Sequence, residues 1–136
     1  MTRGMQIYAA ALLVLVVFLF IKLVYIPADV RAVNQRLNND QSLADYPYQF
    51  RVLRIDNGKA YISSPRSANV SVLEIIRVIY PELADVSVTD ERFQEAQKEL
   101  VEHQALAHVL VMSAPEVSSV GWQLDEAWLR NNGVLP

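Results

Sequence analysis

From Met5 to Ile21 the chain carries no charged side chain and one strongly polar one, Gln6, and beyond Lys22 the apolar run continues as Leu23-Val24-Tyr25-Ile26. A helix that crosses the hydrocarbon core of a bilayer needs about 20 mostly apolar residues, and this stretch supplies them. A helix that is apolar all round must be buried in lipid or in a large protein interior. A domain of the size that follows has little room to hide one. The segment is therefore expected to be a transmembrane anchor, with residues 5–26 in contact with the lipid bilayer.

A cleaved signal peptide fits less well. Its apolar region is about 7–15 residues long and ends in a small-x-small site. Here the run is longer and leaves through bulky side chains. Cleavage after Ala28 would put Ile26 where a small residue is wanted. Tyr8 and Tyr25 are spaced about 26 Å apart on a helix, which suits the two aromatic belts at the membrane surfaces. Lys22 lies near the end of the span, where its stem can carry the ammonium to the surface. The alternative role for Lys22 is a pairing with an acid on a partner helix. Arg3 in a short, acid-free tail favours that tail on the cytoplasmic side, whereas Lys22, Arg31 and Arg36 count the other way. Long domains translocate largely regardless of charge. The N-terminus is thus expected in the cytoplasm and the main domain outside.

The chain divides by pattern into residues 1–26, an anchor; 27–44, a linker helix; and 45–136, a small domain. Pro27 suits the start of a helix, and Val30, Val33 and Leu37 recur at helical spacing before the polar Asn38-Asn39-Asp40. Tyr48-Gln49-Phe50-Arg51-Val52 alternates apolar and polar, and Leu53-Arg54-Ile55 resumes in the opposite phase. That shift predicts a bulge at Val52-Leu53. Asp56-Asn57-Gly58 then predicts a type I′ hairpin turn into Ala60-Tyr61-Ile62.

Ser71-Val72-Leu73-Glu74 matches a capping box, opening a helix from Val72 to about Tyr80 that Pro81 stops. Asn69-Val70-Ser71 is also a glycosylation sequon, although capping accounts for Ser71 more economically. Thr89 or Asp90 caps a further helix with Phe93, Ala96, Leu100 and Val101 on its apolar stripe and Glu95, Lys98, Glu99 and Glu102 toward water. Residues 107–112 read as a buried strand, and Val120, Trp122 and Leu124 as another. Asp125 caps a last short helix, with Gly133 just beyond its end. The expected class is α+β: one transmembrane helix, then a mostly antiparallel sheet of the hairpin plus one or two further strands, packed by helices.

The chain has no cysteine, which removes disulfides, Cys-ligated zinc and a Cys nucleophile. Its net charge of -3 gives no electrostatic footprint for nucleic acid. Glu99 and His103 have helical metal-pair spacing, but His108 falls off it, and an exposed Glu–His pair is the simpler account. Ser63, Ser64, Ser67, Ser71, Ser113, Ser118 and Ser119 sit in no GxSxG or SxxK motif, and no Gly-rich phosphate loop occurs. No enzyme activity, cofactor or metal is expected.

The interaction candidates are Lys22, Trp128 and Arg130. Trp and Arg are enriched at binding hot spots, whereas Trp122 reads as a core residue. The expected function is a single-pass membrane protein whose domain binds a membrane-protein partner, as an accessory subunit or assembly factor. The alternative is a membrane-tethered sensor domain that binds a small ligand or peptide.

Overall fold

The computed structural model describes residues 2–135. Helix α1 runs from Arg3 to Val24, and none of its residues is buried. It is long and apolar enough to cross a membrane. Thr2 caps its start, accepting a hydrogen bond from the Met5 amide at 3.3 Å. Tyr25, Ile26 and Pro27 form a non-helical joint. Helix α2 (Ala28–Asn38) then buries Val30, Val33 and Leu37 against the first strand and the long helix of the domain. The stripe read from the sequence therefore faces protein.

A short helix α3 (Gln41–Asp45) follows, a single turn too brief to show a period in the sequence. Asp40 starts it by accepting from the Leu43 amide at 3.1 Å.

Strands β1 (Val52–Asp56) and β2 (Lys59–Ser64) form the expected hairpin. The register slips between Val52 and Arg54, so Leu53 is the bulged residue. Asn57 and Gly58 both have positive φ, 50° and 80°, as a type I′ turn requires. The turn also docks on the far strand: Gly58 O accepts from the Ser118 amide at 2.8 Å. A Cβ on Gly58 would stand 2.6 Å from Ser118 Oγ.

Helix α4 (Val72–Ile79) buries Ile75, Ile76 and Ile79. Ser71 stands at its N-cap, but the capping box does not form: the Ser71 side chain makes no cap hydrogen bond. Burial of the isoleucine face holds this helix. A 3-10 turn, Pro81–Leu83, ends it where proline forbids continuation.

Helix α5 runs from Glu91 to Met112, with Asp90 accepting from the Arg92 amide at its start. The strand expected over residues 107–112 is the last part of this helix. Phe93, Ala96, Leu100, Ala107 and Val111 are its buried residues, one stripe continued at helical period. Val109, read as a strand residue, is exposed.

Strand β3 (Ser119–Leu124) pairs parallel to β2, from Lys59↔Ser119 to Ser64↔Leu124. The sheet is thus mixed, in the order β1-β2-β3, and not mostly antiparallel as expected. With 107–112 helical, the path from β2 to β3 is a helical crossover, and such a connection brings the next strand in parallel. Helix α6 (Glu126–Asn131) closes the chain. The amides of Gly133 and Val134 bond to Arg130 O and Leu129 O, a Schellman end.

On one face of the sheet, Tyr61 lies across Gly121, where a Cβ would come within 3.3 Å of its ring. Arg54 stacks on the Tyr61 ring at 3.9 Å and reaches Gln123 at 2.8 Å. The aromatic ring covers the gap left by the missing side chain.

Helix α2 closes the outer edge of β1 at Val52. Asn34 donates to Val52 O at 3.0 Å and accepts from Val52 N at 2.7 Å, so one side-chain amide stands in for a neighbouring strand. Removing it strands both backbone groups of a buried residue. Asn34→Ala is expected to destabilise the domain by about 1–3 kcal/mol, read as a shift in the urea midpoint. An unchanged midpoint would show that the pairing contributes nothing.

Candidate interaction site

The C-terminal ends of β2 and β3 meet the loop that leads into α4. This is where parallel strands commonly present ligand crevices. A cleft of about 350 Å³ opens there, with Ser64, Arg66, Val72, Gln104 and Trp122 among its lining residues. Each wall has a local cause. Ser64 ends β2 fully buried, and its Oγ accepts from the Arg66 amide at 3.1 Å, which fixes the turn. Gln104 projects from the middle of α5, and Trp122 from β3.

Trp122 was read as core, yet it is 38% exposed. Its ring meets Phe50 edge-on at 6.4 Å and lies near-parallel to His108 at 6.4 Å. Trp122 therefore stands as a supported wall of the cleft.

Two polar atoms in this lining have no partner. Arg66 Nε and Gln104 Oε1 are both out of solvent and make no hydrogen bond. Among the described residues the Arg66 guanidinium forms no ion pair either. Buried polar groups are nearly always satisfied, so orphaned ones require an explanation.

The residues singled out from the sequence lie elsewhere. Lys22 sits on α1 with its ammonium 5.6 Å from the centre of the Phe18 ring. Trp128 is half-buried and packs edge-on against Tyr48 at 5.1 Å. Arg130 is exposed and pairs with Glu126 at 3.0 Å. None of the three touches the cleft. Nothing in the sequence marked Arg66 and Gln104, since their significance lies in what fails to bond them.

A second polar cluster lies between α3, α4 and α5. The His103 ring stacks on Tyr46 at 3.9 Å, and its Nδ1 meets Glu99 O at 2.6 Å. Tyr80 donates to the Glu99 carboxylate at 2.6 Å, so Glu99 is a half-buried acceptor and not a water-facing residue. His103 is thereby occupied by its own helix. Among the described residues no group of three or more metal-binding side chains gathers, and no serine hydroxyl bonds either histidine. Tyr48 belongs to a third group: its hydroxyl donates at 2.8 Å to the buried Asp125, whose other oxygen caps α6.

Burial pushes Tyr80 and Tyr48 well above the ordinary tyrosine value of 10.0, with the neighbouring carboxylates of Glu99 and Asp125 reinforcing it. Burial also raises Tyr46. The folded state thus holds these protons more tightly than the unfolded chain. The stability linked to them is complete below about pH 10 and is lost as pH rises beyond it. The urea midpoint is expected to fall steeply between about pH 10 and 12, and a Tyr80→Phe, Tyr48→Phe double variant to lose most of that slope. An equal slope in the variant would refute the assignment.

No family model, no curated protein and no solved structure matches this chain.

Proposed function

We propose that this chain is a single-pass membrane protein whose small α+β domain binds another membrane protein, as an accessory subunit or assembly factor. The observation that carries the proposal is α1: 22 residues, uncharged between Arg3 and Lys22 and apolar there save for Gln6, with no residue buried against the domain. Such a surface is unstable in water and is satisfied by lipid. Arg3 in its short, acid-free tail supports a cytoplasmic N-terminus and an extracytoplasmic domain, against Lys22, Arg31 and Arg36 on the flank of a domain that translocates largely regardless of charge.

Partner binding draws support from the exposed surface. Helix α5 turns Val101, Val109 and Met112 outward at 49%, 61% and 39% exposure, a row of apolar side chains along one helix. Contiguous exposed apolar surface commonly marks protein contact sites. Lys22 remains a candidate for pairing within the bilayer, and Trp128 with Arg130 for contact at the C-terminal helix.

The test is to extract the tagged full-length chain from its native membrane in mild detergent and weigh the particle. A stoichiometric complex with a second membrane protein is expected, with photo-crosslinks from Lys22 or from α5. A clean monomer or homodimer would favour the second reading, a membrane-tethered sensor domain. The cleft at Trp122 supports that reading.

A further inference from the structure

Strand β3 forms one edge of the sheet, with no segment paired on its outer side among the described residues. At the opposite edge, β1, Asn34 takes up the outward groups of Val52. Along β3 the pairing alternates. The Ser119 amide donates to Gly58 O at 3.3 Å and the Asp125 amide to Ser64 O at 2.8 Å. In a parallel ladder with this register, the residues between them in the same phase, Gly121 and Gln123, also bond toward β2. Val120, Trp122 and Leu124 therefore turn their N–H and C=O groups outward. Among the described residues no hydrogen bond from another segment reaches them. An open row of this kind is a template for an added strand.

The edge and the cleft share Trp122. Its backbone faces the open edge, and its ring walls the cleft that holds Arg66 and Gln104. That cleft has a definite charge. Arg66 is its one ionised side chain, no acid lines it, and among the described residues nothing accepts from the buried Nε–H. Gln104 adds an amide with an unused oxygen, and the amide can be turned to present its N–H₂ group instead. Ser67 lies in the same lining. A guanidinium N–H flanked by amide and hydroxyl donors is the chemistry that holds a carboxylate.

We infer that β3 accepts an extended acidic peptide from a partner protein, its backbone pairing with Val120, Trp122 and Leu124 and its Asp or Glu carboxylate bound by Arg66 and Gln104. The inference rests on the reading of the domain as a protein-binding module and names the chemistry of that partner. On an added strand, alternate side chains stand on the same face as Trp122, so one of them is presented toward the cleft. Backbone pairing supplies affinity without sequence, and the Arg66 contact supplies the selection.

The test uses the full chain in detergent micelles, selected against a displayed library of random heptapeptides. Recovered sequences are expected to share an Asp or Glu at one fixed position with β-branched residues around it. Synthesised with Gln at that position, a recovered peptide is expected to bind at least tenfold more weakly. Arg66→Gln is expected to cost the acidic peptide a similar factor and to leave the Gln peptide unchanged. Hydrogen exchange at Val120, Trp122 and Leu124 is expected to slow at least tenfold on binding. Recovery of no peptides, of peptides without an acidic position, or of peptides indifferent to Arg66→Gln overturns the inference. So does binding that leaves the β3 amides unprotected. Succinate competing as strongly as the peptide would assign the cleft to a free carboxylate and overturn the strand pairing. These outcomes are separate from the co-purification test: a stable membrane complex with no acidic peptide on β3 sinks this inference and leaves the broader proposal standing.

Discussion

Replacing Leu15 and Val16 with arginine is expected to release the chain from the membrane. Both lie near the middle of α1, and both are about half exposed with no protein neighbour to shelter a charge. At the centre of a span, arginine in place of an aliphatic residue costs about 3–4 kcal/mol. Two such changes cost about 6–8 kcal/mol, or roughly 10⁴-fold or more in the membrane-bound fraction. Neither position is near a helix end, so the guanidinium groups cannot reach the surface as Lys22 can. Flotation of membranes on a density gradient at neutral pH reads the outcome. The parent chain is expected to float and the double variant to stay at the bottom. A double variant that floats as well as the parent would mean that α1 does not hold the chain in the bilayer.

The second large effect is in the core. Phe93 is fully buried in the first turn of α5, and the Arg77 guanidinium stands 5.5 Å from the centre of its ring. Phe93→Ala removes that ring from the junction of α4 and α5. Large-to-small changes of this kind cost about 3–5 kcal/mol, because the surroundings collapse only partly into the cavity. Typical domains have about 5–15 kcal/mol in total, so roughly a fifth or more of the stability is at stake. Urea unfolding of the detergent-solubilised chain, followed by tryptophan fluorescence, measures it. Val109→Ala on the same helix, at 61% exposure, is the control and is expected to change stability by less than about 0.5 kcal/mol. Similar midpoints for the two variants would mean that the α4–α5 junction is not packed as described.

Some of this architecture is legible in the amino-acid sequence, and the reasons are local. Asn57-Gly58 requires positive φ at two successive residues, and few other pairs tolerate it. The slip in alternation at Val52-Leu53 has one geometric meaning, a bulge. Asp125 before Trp128, and Gly133 after the last helical turn, announce a helix by chemistry within a few residues. Residues 107–112 show the limit. Val109 and Val111 suit a strand, and a short apolar run does not reveal its period by itself. The period emerges only when Ala107 and Val111 are joined to Leu100, Ala96 and Phe93, about two, three and four turns before Ala107. The same residues decide why the sheet is mixed and not mostly antiparallel, because a crossover helix in place of a turn brings β3 in parallel to β2.

The site was less accessible still. Trp122 and Trp128 have similar neighbourhoods in sequence, and which of them is exposed depends on which strand is the sheet's edge. Gln104 looks like any polar residue on a helix. Its orphaned oxygen exists only once Arg66 and Trp122 have been folded around it. Asn34 was likewise silent, since its amide matters through a strand 18 residues away.

The joint between α1 and α2 sets the height at which the domain works. Three residues separate the last turn of α1 from α2, and α2 is packed on the sheet. Three extended residues reach about 10 Å. A chain inserted through α1 thus carries its domain flush with the lipid headgroups. Its open strand edge would then explore a thin layer beside the bilayer, and the partner proposed above, if held in the same membrane, would be met by lateral diffusion. Confinement of this kind holds both molecules in one thin layer, so a separated pair meets again sooner than it would in bulk solution. An acidic peptide that β3 binds in free solution would then be held more fully beside the bilayer, where a released partner stays within reach.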